Sequence, residues 1–387
     1  MSSTRKRKQS PVKIQTVHKE EEPEEEVQVL NTDVVKGSGP VLPGWLWRLI
    51  LLSMKVTLGF LFCLHVLTPV LILTNPWIQS KAVFLNNFRW PPFIDVTKPD
   101  EFGLGHSVRN FYLQVEEHSR VGVWHLIPQS EAEVEFSQYE NLLKDGKPIF
   151  LYLHGTSGSR AGWHRVQLYK LLVSMGFHVI AFDYRGWADS VGVPTEDGVV
   201  ADGYFMYKWI KLVYFLWGHS LRTANTPVFL WGHSLGTAIT TKLAKMLCEK
   251  GEEPLGVILE SPFTNIREAA SKHPFTAPFR MLPWFEAVFL DTIDQNNISF
   301  TTDKNIAHVT TPLLILHAED DKVVPFELGE KLYGIASETR PTNSGPLDFV
   351  SFNASYGYGH KLIFMAPELP SIISKFVDTC EEEKTTQ

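Results

Sequence analysis

The feature that most constrains the fold of this chain is the segment at residues 227–250. Pro227 and an apolar run at 228–231 precede the pentapeptide GHSLG at 232–236, and residues 237–250 have the composition of a helix. A strand, a tight turn and a helix in this order form a nucleophile elbow, which holds a serine hydroxyl above the edge of a sheet. Small residues two positions before and after the serine let the strand and helix approach each other. Ser234 is therefore a candidate catalytic nucleophile.

Apolar runs suited to strands alternate with helical segments along the chain. Strands are predicted at 122–126, 148–153, 178–182, 228–231, 256–259, 312–316 and 347–352, and helices at 165–173, 195–211 and 237–250. A continuous apolar run such as PIFLYL at 148–153 is typical of a strand buried on both faces. The alternation predicts an α/β fold with a mostly parallel sheet covered by helices.

Residues 45–74 predict a transmembrane helix. Residues 56–73 contain no formal charge, and at ~1.5 Å per residue this run is about 27 Å long, close to the hydrocarbon thickness of a bilayer. Arg48 and Lys55 precede the run and can extend to the interface. The run begins too far from the N-terminus for a cleaved signal peptide. Positive charges flank both sides, so they barely decide the orientation.

The other segments follow from composition. Residues 1–44 combine a basic run at 5–8 with an acidic block at 20–26 and are predicted to be a disordered tail. Residues 75–120 are interpreted as a connecting segment, 121–380 as the catalytic domain and 381–387 as a tail. A net charge of −7 gives no reason to expect nucleic acid as a partner. The three cysteines have neither a disulfide framework nor metal-ligand spacing, and no metal or organic cofactor is implied.

A serine nucleophile needs a general base to take its proton and a carboxylate to orient that base. In the α/β-hydrolase fold the chain order is serine, acid, histidine. The acid should follow the strand at 312–316, where Glu319, Asp320 and Asp321 are adjacent. Asp321 is preferred because it precedes a Val-Val-Pro turn, and the other two carboxylates remain alternatives. His360 is the only histidine beyond Asp321, so it is the candidate base.

The reaction also needs backbone donors for a developing oxyanion. The N–H of Leu235, at the start of the elbow helix, is one candidate. Thr156, in the glycine-rich loop after the strand at 148–153, supplies the other. His317, on the acid strand, is interpreted as a packed neighbour.

The heptapeptide FLWGHSL occurs twice, at 215–221 and 229–235. In the first copy Arg222 stands where the elbow needs a small residue, and Pro227 prevents a long helix. Ser220 is therefore a weak alternative nucleophile. The first copy is predicted to form an extra hydrophobic loop beside the elbow helix.

The segment at 262–307 is longer than an ordinary connection between two strands. It carries many aromatic residues interrupted by prolines, and predicts a cap insertion. Two interpretations stay open for this cap: a lining for an acyl chain, or ordinary packing of a side subdomain.

Several strings resemble the membrane-anchored lipases of the abhydrolase-domain family. They are DYRGW at 183–187, GHSLGT at 232–237, LESPFTNIRE at 259–268 and HAEDD at 317–321, and the similarity extends over about 45–376. The resemblance implies an α/β-hydrolase fold and places the triad on Ser234, Asp321 and His360. The chain departs from the family pattern in the insert around 212–224. It departs again at Ala188, where glycine is expected; alanine is tolerated there only if the backbone does not need a positive φ.

The resemblance further implies a serine lipase of lysophosphatidylserine and monoacylglycerols, in the endoplasmic reticulum membrane with a lumenal catalytic domain. Asn297 and Asn353 lie in acceptor patterns for N-glycosylation, which matter only for a lumenal domain. An acyl-protein thioesterase or peptidase on the same fold is the alternative enzyme. A non-catalytic membrane protein that retains the fold is the alternative from another class.

Overall fold

An eight-stranded sheet forms the centre of the protein. The computed structural model describes residues 42–88, 94–128, 139–143, 145–217 and 227–386. The sheet order is β1-β2-β4-β3-β5-β6-β7-β8; β1 and β2 are antiparallel to their neighbours, and the remaining pairs are parallel. The strands are β1 (Val108–Glu116), β2 (Ser119–Leu126), β3 (Ile149–Leu153), β4 (His178–Asp183), β5 (Val228–His233), β6 (Gly256–Glu260), β7 (Leu313–Ala318) and β8 (Leu347–Phe352).

Helices cover both faces of this sheet. The helices in chain order are α1 (Gly44–Phe62), α2 (Thr68–Thr74), α3 (Pro76–Phe84), α4 (Tyr139–Leu142), α5 (Trp163–Ser174), α6 (Glu196–Trp217), α7 (Leu235–Glu249), α8 (Ile266–Lys272), α9 (Asp291–Gln295), α10 (Thr302–Asn305), α11 (Phe326–Thr339) and α12 (Leu369–Thr386). Two buried clusters, one on each face of the sheet, separate the strands from these helices. The predicted α/β-hydrolase fold is confirmed.

The structure differs from the predicted segment boundaries at both ends of the domain. The sheet begins at Val108, inside the predicted connecting segment, and α12 continues to Thr386, past the predicted boundary at 380. The sequence did not predict β1 because its residues alternate between half-buried and exposed positions at the sheet edge. Such a strand lacks the continuous apolar run of the central strands.

The helix before the duplicated heptapeptide is longer than predicted. It ends at Trp217 rather than at Lys211, so residues 215–217 are helical and do not belong to a loop. The apolar residues of this copy extend the pattern of α6, and the first proline comes only at 227. Ser220 and residues 1–41 of the predicted tail at 1–44 lie outside the described residues, and α1 begins at the last residue of that predicted tail.

One helical stretch, Gly44–Thr74, is long and apolar enough to cross a membrane. It consists of α1, a π-helical turn (Cys63–Leu67) and α2, and few of its residues are buried. The compact unit that contains the sheet begins at Leu58. The second half of the apolar stretch therefore belongs to the same unit as the sheet.

The predicted cap segment between β6 and β7 consists of short helices. Besides α8, α9 and α10 it contains 3₁₀ turns at Pro274–Phe279 and Ile306–His308 and a π-helical turn at Glu286–Leu290. Phe263 and Phe300 join the main core. Phe279, Phe285 and Leu290 form a separate small cluster.

Candidate active site

Ser234 lies on the turn between β5 and α7. Its φ is 55° and its ψ is −122°, a conformation that non-glycine residues rarely adopt. Its backbone N–H donates a hydrogen bond to the carbonyl of Glu260 at the end of β6, with an N···O distance of 3.0 Å. A strained backbone of this kind is what a nucleophile elbow requires.

The two glycines of the pentapeptide are required by close backbone contacts. A Cβ on Gly236 would lie 2.0 Å from the carbonyl oxygen of Leu153 at the end of β3. A Cβ on Gly232 would lie 2.5 Å from the carbonyl oxygen of Gly236. Both distances are far below van der Waals contact, so only glycine permits α7 to begin this close to the sheet.

Asp321 lies in the loop after β7 and contacts His360. Its Oδ2 is 2.7 Å from His360 Nδ1. Its Oδ1 accepts the backbone N–H groups of Val323 and Val324 at 2.8 and 2.9 Å. The carboxylate is therefore fixed on both sides, with one oxygen left for the imidazole.

His317 also contacts this carboxylate. It is fully buried, its Nε2 is 3.0 Å from the Val324 carbonyl oxygen and 3.5 Å from Asp321 Oδ2. Burial alone would raise the pKa of the Asp321 carboxyl, but the charge of His360 and the hydrogen bonds from both histidines hold it well below its ordinary value. Asp321 is thus ionised at neutral pH.

The two neighbouring carboxylates have other partners. Asp320 Oδ1 accepts the Gly359 N–H at 2.9 Å, and Glu319 Oε2 accepts the Ala354 N–H at 3.0 Å. Both bonds are to the backbone of the loop that carries His360. Asp320 and Glu319 therefore shape this loop, whereas Asp321 contacts the imidazole itself.

Three loops converge at Ser234. The His360 carbonyl oxygen is 2.8 Å from Nε2 of His233, the residue before the serine, and the two imidazole rings lie 4.9 Å apart. On the other side, a Cβ on Gly155 would lie 3.0 Å from Ser234 Cβ. The loops after β3, β5 and β8 thus bring the predicted residues to one place.

The loop that contains Thr156 is held by a segment that the sequence did not connect with the site. The Thr156 hydroxyl donates to the Val83 carbonyl at the end of α3, and the Gly158 N–H donates to the Phe88 carbonyl at 3.2 Å. Trp187 Nε1 donates to the Thr156 carbonyl at 2.9 Å. The residues directly after the apolar helical stretch therefore support the candidate oxyanion loop. Thr156 and Val83 are 73 residues apart along the chain, and no sequence pattern predicts that they contact each other.

Leu235 is the first residue of α7 and is buried beside the turn. A backbone N–H in the first turn of a helix has no partner within the helix, and the helix dipole favours negative charge there. The loop after β3, which carries Thr156, is supported by Arg165, whose Nη2 donates a hydrogen bond to the Ser157 carbonyl at 2.7 Å.

Glu260 is a further buried carboxyl next to the elbow. It accepts a hydrogen bond from Trp231 Nε1 at 2.9 Å. Burial, with a smaller effect from the charge of Asp321, raises the pKa of Glu260 to about 7. The sequence signal for this residue is its place in the LESPF string, directly at the end of β6.

The structure bears on two features noted in the sequence: the backbone at Ala188 and the asparagines of the two glycosylation patterns. Ala188 has a φ of 45°, so the condition under which alanine is tolerated without strain is not met. Asn297 and Asn353 are both exposed, and the Asn353 side chain accepts the Ser355 N–H at 3.0 Å.

Among the residues that the structure describes, no group of histidine, cysteine, aspartate or glutamate side chains has the arrangement of a metal site.

The fold and the elbow are those of an α/β-hydrolase. A family model described as serine aminopeptidase, S33, matches residues 145–302. Two solved structures share the fold. An esterase from Pyrococcus furiosus has a TM-score of 0.53 and 16% identity over 75% of this chain and 97% of its own. An alpha-beta hydrolase from Vibrio vulnificus has a TM-score of 0.52 and 19% identity over 80% and 94%.

Relatives with much higher identity cover more than four-fifths of the chain. Lysophosphatidylserine lipase ABHD12 of Danio rerio is 47% identical over 86% of this chain and 85% of its own length. The protein of that name from Macaca fascicularis is 47% identical over 84% and 80%, and human protein ABHD12B is 40% identical over 81% and 82%. The chain therefore belongs to the ABHD12 family of α/β-hydrolases, and it is a carboxylic ester hydrolase.

Proposed function

We propose that this chain is a membrane-anchored serine hydrolase that cleaves the acyl ester of lysophosphatidylserine and of monoacylglycerols. The observation that carries the proposal is the 2.7 Å contact between Asp321 and His360, in the loop that adjoins the strained turn at Ser234. Lysophosphatidylserine is proposed because the relatives with 47% identity are lysophosphatidylserine lipases by name. The monoacylglycerol substrate is taken from the resemblance to the family.

In the proposed reaction, His360 Nε2 accepts the hydroxyl proton of Ser234 as its oxygen attacks the ester carbonyl. Asp321, held by two backbone N–H groups, keeps the other ring nitrogen protonated and stabilises the imidazolium that forms. The imidazolium then protonates the leaving alcohol. His360 Nε2 then takes a proton from a water molecule whose oxygen attacks the acyl carbonyl. The bond between the acyl group and Ser234 breaks, the serine oxygen takes back the proton, and the fatty acid leaves.

The negative charge on the ester oxygen needs donors that are fixed in advance. The N–H groups of Thr156 and Leu235 are the proposed donors. Their support differs: Leu235 is fixed by the start of α7, and Thr156 is held by its hydrogen bond to Val83. Donors of this kind contribute about 3–4 kcal/mol each to transition-state stabilisation.

We place the chain in the endoplasmic reticulum membrane as a single-pass protein with a lumenal catalytic domain. The apolar helical stretch Gly44–Thr74 and the exposure of Asn297 and Asn353 support this placement. A glycosidase-sensitive mass shift that disappears in the Asn297→Gln, Asn353→Gln double variant is expected. A protein from microsomes that carries no glycan on either asparagine would contradict the lumenal orientation.

The nucleophile is tested with a fluorophosphonate probe, which labels activated serines. Ser234→Ala should abolish labelling, and Ser220→Ala should retain it. The second variant is a matched control because it changes the serine of the same heptapeptide. Labelling that survives Ser234→Ala and disappears in Ser220→Ala would refute the assignment.

A peptidase or acyl-protein thioesterase is the second candidate, because the matching family model is described as a serine aminopeptidase. A panel of lysophosphatidylserine, monoacylglycerol, aminopeptidase and thioester substrates separates these activities. We expect kcat/KM to be highest for the two lipids. Complete absence of probe labelling in folded protein would instead favour a non-catalytic role.

A further inference from the structure

The second half of the apolar helical stretch has two different faces. His65 and Pro69, one helical turn apart, lie on a covered face, and Pro69 is buried. Val66, Val70 and Leu73 remain 45–52% exposed on the opposite face. One side of this helix therefore contacts protein, while the other exposes the apolar side chains Val66, Val70 and Leu73.

The cap covers the first of these faces. The His65 ring lies 6.0 Å from the Phe279 ring in an edge-on arrangement, and Leu64 packs against the cluster of Phe279, Phe285 and Leu290. Phe289 completes this cluster, with its ring 4.8 Å from that of Phe279. The cap and the apolar helix are thus fixed to each other by aromatic contacts.

The contact lies within the uncharged run at 56–73, because Leu64 stands nine residues before its end. The cap therefore packs on a part of the helix whose composition suits the hydrocarbon layer.

The composition of the contacting cap segment suits a position beside lipid. Residues 274–290 carry only two formal charges, Arg280 and Glu286. Phe275 is 75% exposed and Met281 is 95% exposed, so two large apolar side chains of this segment face away from the protein. An apolar surface continuous with a membrane-spanning helix fits the acyl-chain region of a bilayer.

We infer that residues 274–290, which we call the aromatic cap segment, lie within the bilayer surface beside the apolar helix, with Phe275 and Met281 inserted among the acyl chains. The inference rests on the proposed membrane anchoring and lipid substrate. It deepens the proposed function because it supplies a route for the substrate.

That route follows α8. Helix α8 connects the elbow side of the domain to the cap, since it follows β6 and its residue Ala270 packs on the Phe279 cluster. Its seven residues span only about 10 Å. A single-chain lipid could bring its ester to Ser234 while most of its acyl chain stays in the bilayer.

Depth is measured on the full-length chain in phosphatidylcholine nanodiscs. A fluorophore on Met281→Cys, with Cys63 and Cys248 replaced by alanine, should be quenched by lipids brominated on the acyl chain and protected from aqueous iodide. Val193→Cys is the matched control, because Val193 is 78% exposed on a loop of the catalytic domain, and it should show the reverse pattern. Quenching of the Met281 label by iodide alone overturns the inference. Protection from both quenchers indicates a protein contact and also overturns it.

Substrate delivery is measured with the Phe275→Ser, Met281→Ser double variant. We expect kcat/KM to fall at least tenfold for lysophosphatidylserine embedded in nanodiscs and to stay within twofold for a water-soluble short-chain ester. Equal losses on both substrates, or no loss on either, overturn the delivery route. Failure of the proposed function has a different signature, because the wild-type chain would then hydrolyse neither substrate while the quenching result would stand.

Discussion

Replacing Asp321 with asparagine should disable the site by changing the tautomer of His360. Asparagine has one acceptor oxygen and one NH₂ donor. The Oδ1 position of Asp321 faces two backbone N–H groups, from Val323 and Val324. An NH₂ at that position would leave buried donors unpaired, at a cost of about 1–3 kcal/mol each. The amide oxygen must therefore take this position, which directs the NH₂ toward His360 Nδ1.

A donor at that place requires His360 to present a lone pair at Nδ1, so its proton moves to Nε2. The imidazole can then no longer accept the proton of Ser234. The same change in serine proteases lowers kcat by about 10⁴-fold. We expect a loss of 10³- to 10⁴-fold here, or about 4–5.5 kcal/mol of transition-state stabilisation, with little change in KM.

The assay is steady-state hydrolysis of a soluble ester by purified wild-type and variant proteins, with circular dichroism to check folding. Asp320→Asn is the control, because its carboxylate bonds the Gly359 N–H rather than the imidazole, and it should cost less than tenfold. If Asp321→Asn retained more than a tenth of wild-type kcat, or if both variants lost activity equally, the assignment of the acid would be refuted.

Three further predictions concern the support of the site. Gly236→Ala places a methyl group 2.0 Å from the Leu153 carbonyl oxygen. Thermal unfolding in detergent should therefore show a loss of at least about 3 kcal/mol in stability, or no folded protein at all. Gly334→Ala in α11 is the control: nothing lies within 4 Å of its added methyl, so its stability should be unchanged or higher. Thr156→Val removes the hydroxyl that bonds the Val83 carbonyl, so kcat should fall several-fold, by about 1 kcal/mol, at unchanged KM, and Thr156→Ser should restore it. Glu260→Gln removes a carboxyl whose buried pKa is about 7, which favours its neutral form in the folded state. Its destabilising effect is absent below about pH 4.5, grows as the pH rises to about 7 and is complete above it, so the variant should gain up to about 3 kcal/mol at pH 8 and nothing at pH 4.5.

Each of these expectations can fail in a specific way. A stable Gly236→Ala protein would show that α7 can shift away from β3. A Thr156→Ser variant as impaired as Thr156→Val would mean that the threonine methyl, not its hydroxyl, supports the loop. A stability gain of Glu260→Gln that does not change with pH would show that its carboxyl is not the titrating group.

The sequence predicted the central strands because each is a short apolar run between helical segments. It failed at β1, where an edge strand with one solvated face has no continuous apolar signal. The prediction that residues 215–217 form a loop was also wrong. It treated the first copy of the heptapeptide as a separate segment, whereas its first three residues continue the helix α6.

The sequence alone determined the elbow and the order of the candidate triad. The two glycines around Ser234, the carboxylates after β7 and the single histidine beyond them are local patterns, and the parallel strands carry their ends to one edge of the sheet. Only the tertiary structure decided which carboxylate contacts His360, that Glu260 is buried beside the elbow, and that α3 supports the loop of Thr156. It also decided that Ala188 adopts a positive φ and that the cap packs on the apolar helix. These depend on contacts between residues far apart along the chain, and such contacts are fixed by packing rather than by any pattern of neighbouring residues.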